Sequence, residues 1–241
     1  MEAPATIADL PVDPVASIEE AIARMHDIAG MLPATDGLAC FNRMYLLVTE
    51  AVRDQVGSGF FADAAFMARL DVNFVNRYLA AISAFRVAPG GAPRSWKVLL
   101  DNRADSGLAP MQFALAGMNA HINYDLAPAL AQTCADCSTA PDRGAHHADF
   151  EKVNLTLEAL DSHIRESFEQ GVLLELDREF AGLQNLVDGF SITAAREAGW
   201  VNAEVLWRLR DEELLARAFL ITLDRTVGFA GGALLVRLPR L

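Results

Sequence analysis

The sequence has no run of about 18 or more apolar residues, so no transmembrane helix is expected. Its start, Met1-Glu2-Ala3-Pro4-Ala5-Thr6, has no basic stretch followed by an apolar one. A secretory signal is therefore not expected, and the cytoplasm is the expected location. Cysteines number three, Cys40, Cys134 and Cys137, and an odd count argues against a disulfide framework. Cys134-Ala135-Asp136-Cys137 is a lone C-x-x-C. It lacks the second pair of a zinc ribbon and the βαβ setting of a thioredoxin motif, and reads as two thiols at a helix end. Basic residues are scarce, 20 against 32 acidic, for a formal charge of −12, and they are scattered. Nucleic-acid and anionic-membrane partners are disfavoured on that ground. A small acidic-rimmed site for a cation or neutral ligand stays open. Phosphate-binding glycine loops, the G-x-S-x-G elbow, H-E-x-x-H and paired E-x-x-H motifs are all missing.

What is present is helical periodicity. The 241 residues are 52% hydrophobic, enough for a sizeable core. Residues 1–14 carry three prolines and read as an irregular arm, with residues 15–241 as one helical domain. Ser17-Ile18-Glu19-Glu20 is a capping box that opens a first helix. Helices are expected at 38–55, 62–86, near 96–100, at 109–132 and at 148–170. Further helices are expected at 172–187, 192–209 and 211–227. Gly231-Gly232 should break the last one, and 233–238 reads as a short strand or a docked tail. The class is all-α, a bundle of about eight or nine helices.

Gly117-Met118-Asn119-Ala120-His121-Ile122-Asn123-Tyr124-Asp125 is the most informative stretch. His121 and Asp125 stand at i, i+4 and so share a helix face, with Ala114, Gly117 and Met118 beside them. An imidazole and a carboxylate so placed can share a metal ion or form a hydrogen-bonded acid/base pair. They can equally staple two helices together. Asn119 and Asn123 point nearly the opposite way, so this helix should be surrounded by protein.

Three other groups carry chemistry. His147 and Glu151 at i, i+4, or His146 and Asp149 at i, i+3, could hold a metal, although capping of a helix start accounts for the acidic pair. His163 reads as a core or groove histidine. Asp71 and Tyr78 lie on the stripe Met67, Leu70, Phe74, Tyr78, Phe85, and a carboxylate there needs a partner. They are substrate-binding candidates, with Met118, or a structural hydrogen bond. Trp200 and Trp207 form a packing stripe, with Glu197 and Glu204 on the same side as further carboxylates.

The run from Trp96 to Leu126, above all Asn119-Ala120-His121-Ile122-Asn123-Tyr124-Asp125-Leu126, resembles an all-helical bacterial domain family of unknown function, numbered 5995. The resemblance spans roughly residues 20–230 and implies a helical fold without an assigned activity. His121-x-x-x-Asp125 followed by Leu126 and Pro128 is also similar to a segment of zinc-dependent phospholipase C and the helical nucleases. That similarity implies His121 and Asp125 as zinc ligands and a metal-bound water as nucleophile. The chain departs from it: Ala129, Leu130 and Ala131 stand where a histidine is expected, and the N-terminal Trp ligand has no counterpart.

The expected function is a small-molecule enzyme with an interhelical site at His121 and Asp125, in one version a metal-assisted hydrolase using zinc or another divalent ion. The alternatives are a metal-free cyclase, isomerase or lyase of an apolar metabolite, and a non-catalytic ligand-binding helical protein. Apolar richness leaves a homodimer open.

Overall fold

The computed structural model describes residues 6–169 and 182–239, with side chains up to 160 and from 182. Among these every regular element is helical. The helices are α1 (Ile18–Met31), α2 (Gly37–Val56), α3 (Ala64–Val87), α4 (Arg94–Asn102) and α5 (Pro110–Ala120). A π-helical turn, His121–Asp125, joins α5 directly to α6 (Leu126–Asp136). Then come α7 (His146–Glu169), α8 (Leu183–Gly189), α9 (Ile192–Arg208) and α10 (Glu213–Leu234). The all-α expectation holds. His163 and residues 172–181 of an expected helix lie outside the described side chains or residues.

Local chemistry sets the helix starts. Ser17 Oγ accepts the Glu20 N–H at 3.1 Å, opening α1. Glu20 returns to the Ala16 N–H at 2.8 Å, so the expected capping box is closed one residue early. Asp36 and Asp63 cap α2 and α3 in the same way. Buried Ile18, Ala21, Ile22, Met25 and Ile28 follow the 3.6-residue period along α1. The arm at 6–14 is irregular apart from one 3₁₀ turn but is docked, with Leu10 and Val12 buried.

The α5–π–α6 rod is the central element. It packs against α2, α3, α4, α9 and α10. Every residue from Gln112 to His121 is buried, as an apolar helix enclosed by protein should be. Asn119 faces away from the His121 side and donates to Val227 O at 2.9 Å, tying the rod to α10. Two hydrophobic clusters meet at the rod. One is built largely from α1–α5, the other from α6, α7, α9 and the start of α3, and both Phe74 and Ile122 pack against each.

At the C-terminal end one expectation is corrected and one open alternative is decided. Gly231-Gly232 does not break the last helix, because α10 runs through both to Leu234. Gly231 serves a close approach instead, as does Gly228 one turn before it. A Cβ at Gly228 would stand 3.0 Å from the Arg94 backbone, and one at Gly231 would stand 3.3 Å from Asn119 Nδ2. Residues 235–239 form no strand. Leu234 O and Val236 O accept from buried Gln112 Nε2, both at 2.8 Å, which makes this a docked tail.

Candidate functional site

The π turn lies where the sequence concentrates its chemistry. Leu126 N–H reaches back five residues to His121 O, which widens the rod by one residue. Pro128 follows. Its ring crowds the carbonyl four residues back and offers no N–H, so a wide turn just ahead of it relieves that conflict. Gly199 on α9 lies against the same turn. A Cβ there would stand 3.0 Å from Ile122 O and 2.6 Å from Leu126 Cδ2. π turns inside α-helices occur frequently at functional sites.

His121 Nδ1 and Asp125 Oδ2 are 3.0 Å apart, and both residues are 2% exposed. Trp96 Nε1, from α4, donates to the same Asp125 oxygen at 2.7 Å. An indole N–H can only donate, so that oxygen is an acceptor. The proton of the dyad is therefore assigned to His121 Nδ1, and Nε2 keeps its lone pair. The ring is clamped in place. It stacks on Phe74 at 3.5 Å and 9°, with Tyr45 edge-on at 4.4 Å and Phe41 at 5.7 Å. Burial pushes the His121 pKa below its usual value, against the opposing pull of Asp125, so the imidazole is neutral at pH 7.

Nε2 of this clamped imidazole is buried and has no hydrogen-bond partner. Two more buried polar atoms nearby share that condition, Tyr45 Oη and Asp71 Oδ2. Their positions are related by two adjoining cavities. The first, about 60 Å³, is lined by Phe41, Tyr45, Phe74, Met118, His121 and Arg196 among others. The second, about 50 Å³, is lined by Tyr45, Phe74, Asp71 and Arg196 among others. Most other lining groups are aliphatic or aromatic. Asp71, with no cation beside it, has its carboxyl raised by burial from 3.8 to about 7. Burial, then the charges of Asp71 and Asp125, push the Tyr45 phenol well above its ordinary range, so it is a neutral donor.

The other expected site residues separate. Met118 lines the first cavity beside His121. Tyr78 lines neither cavity, and its hydroxyl donates to Asn42 Oδ1 at 3.1 Å while Asn42 Nδ2 donates to Met25 O at 2.9 Å. That is the structural hydrogen bond weighed for it. His121 Nδ1 and Asp125 Oδ2 are bonded to each other, which leaves Nε2 as the free imidazole nitrogen. Among the described residues no third His, Cys, Asp or Glu atom gathers with them.

Such a gathering does occur 26 residues along. His147, Glu151 and Glu197 place one ligand atom each within 4.8 Å of one another. His147 and Glu151 belong to α7, and Glu197 joins them from α9. Glu151 is raised by burial and by a hydrogen bond with Glu197, as two carboxyls sharing one proton should be. His146 and Asp149 stand apart from this group. Asp149 accepts from the Ala62 and Asp63 N–H groups at 2.9 and 2.7 Å, and so caps the approach to α3 rather than its own helix. His146 stacks on Phe66 at 3.8 Å and meets Asp63 Oδ2 at 3.3 Å. Cys134 is buried with its thiol pushed up to about 12, and Cys137 is exposed at the end of α6, both free.

Three residues of the site were invisible as such in the sequence: Trp96, Tyr45 and Arg196. Trp96 and Tyr45 fit ordinary apolar faces, and each meets His121 only through helix packing. Arg196 sits on α9 at 8% exposure.

A family model described as a family of unknown function (DUF5995) matches residues 18–237. The chain belongs to that family. No curated protein and no solved structure matches the chain. The family extends over the rod and over both cavities, so the π turn and its dyad lie within the matched region.

Proposed function

We propose that this protein is a small-molecule enzyme that moves protons, an isomerase, lyase or cyclase, with His121 Nε2 as general base. One observation carries the reading: a neutral imidazole, oriented by Asp125 and Trp96 on a residue that lines an apolar cavity, keeps a buried Nε2 without a partner. Unsatisfied buried polar atoms are destabilising by about 1–3 kcal/mol each. A fold that keeps them at one cavity has a use for them. Asp71 supplies the complementary acid. Its carboxyl near 7 is partly protonated at neutral pH, while His121 is neutral. Two titratable groups moved in opposite directions assign the base and the acid. Tyr45 Oη holds a developing oxyanion or carbonyl oxygen of the substrate.

The test needs no prior substrate. Pools of small apolar keto, hydroxy and unsaturated compounds are incubated with the protein in D2O, and loss of substrate proton signal is followed by NMR. Wild type exchanges deuterium into at least one compound, and His121→Gln does not. Exchange that persists in His121→Gln, or none in any pool, overturns the reading.

A second reading, metal-assisted hydrolysis, is favoured by the grouping of His147, Glu151 and Glu197. A mixed imidazole and carboxylate set suits zinc or manganese. Elemental mass spectrometry of tag-free protein tests it. Stoichiometric metal that is lost in Glu197→Ala supports the reading, and equal metal in both proteins rejects it.

A further inference from the structure

Arg196 is 8% exposed and lines both cavities. Two of its nitrogens are engaged: Nε donates to Asn154 Oδ1 at 2.7 Å and Nη2 to Phe150 O at 2.6 Å. Its guanidinium lies over the Phe150 ring at 3.9 Å. Nη1 has no hydrogen-bond partner among the described residues, and no carboxylate there lies within ion-pair distance of the group. Glu151 and Glu197, which share one proton, leave one negative charge near enough to be felt electrostatically, but neither makes an ion pair with the guanidinium. Buried cations are ordinarily paired, because an isolated charge in an apolar setting is costly. The fixed bonds to Asn154 and Phe150 hold the guanidinium in one orientation, as a preorganised anchor should be held.

We infer that the substrate is a small apolar carboxylate whose anionic group pairs with Arg196 while its apolar body lies against Phe74, Val48 and Met118. This rests on the reading of the cavities as the substrate site, and it goes further in naming the charge. A carboxylate matches one planar guanidinium better than a phosphate dianion does, since no second cation lines either cavity. Anchoring by Arg196 places the far end of the molecule toward His121, which lines the same first cavity.

The experiment is calorimetric titration with butyrate, which the two adjoining cavities have room for, and with its neutral counterpart 1-butanol. Wild type binds the acid about tenfold to a hundredfold more tightly, as a charge-assisted hydrogen bond predicts. Arg196→Met loses the preference for the acid, and Arg196→Lys, which keeps the charge, retains part of it. Equal binding of acid and alcohol by wild type, no binding of either, or an acid preference that survives in Arg196→Met overturns the inference. The wild-type comparison stands even if the methionine variant fails to fold. Deuterium exchange that depends on His121 but occurs only with neutral compounds would retain the proposed function and reject the carboxylate.

Discussion

Replacing Asp71 with asparagine should stabilise this protein at alkaline pH. Asp71 Oδ2 is buried on α3 without a partner, and burial raises the carboxyl from 3.8 to about 7. A folded value above the unfolded one means that the native state holds its proton more tightly. The contribution of Asp71 to stability is therefore greatest below pH 4, declines as pH rises from about 4 to about 7, and is level above that. Each tenfold difference in proton affinity is worth about 1.4 kcal/mol, so the full decline is about 4 kcal/mol. Asparagine imitates the protonated carboxyl at every pH. Its amide adds donors that lack partners, which costs about 1–3 kcal/mol at every pH and shifts the whole curve without changing its slope. The assay is urea denaturation of both proteins at pH 4, 6 and 8. The variant should gain about 4 kcal/mol relative to wild type between the first and last pH. A stability difference that is the same at all three would refute the buried, unpaired carboxyl. Loss of deuterium exchange in the same variant would show that a destabilising group is retained for its chemistry.

Three further outcomes are expected. The exchange rate should follow a bell in pH, rising through the lowered pKa of His121, below 6.5, and falling past about 7 as Asp71 loses its proton; a rate still climbing at pH 9 would exclude Asp71 as the acid. Trp96→Phe removes the indole donor from Asp125 and should lower stability by about 1–3 kcal/mol in thermal denaturation. An unchanged melting temperature would show that the bond contributes nothing. Gly117→Ala would place a methyl 2.4 Å from Phe41 Cγ, and overpacking of that kind costs about 1–3 kcal/mol. Because Phe41 also edges the His121 ring, exchange should slow in this variant as well.

Periodicity and capping chemistry made the helices legible, because a helix is decided by neighbours within four residues. Ser17, Pro110 and the polar loop near 101–107 marked ends within a few residues of those observed. Gly231 in α10 misled, since its close approach to Asn119 depends on a partner more than a hundred residues away. The dyad of His121 and Asp125 was readable for the same local reason that the helices were, being one turn apart on one rod. Asp71 stood out as a carboxylate in an apolar stripe. Glu197 was noticed on its helix, yet its meeting with His147 and Glu151 required α7 and α9 to pack.

The sequence by itself determined the all-helical class, the face shared by His121 and Asp125, and the misplaced charge at Asp71. Each follows from spacing along one helix, which the backbone geometry dictates. Tertiary structure alone decided that Trp96 would donate to Asp125 and that Phe74 would stack on His121. It also brought Tyr45, Asp71 and Arg196 around two adjoining cavities. Those contacts join α2, α3, α4 and α9 to one central rod, and side chains so far apart in sequence meet only when the apolar faces between them are buried.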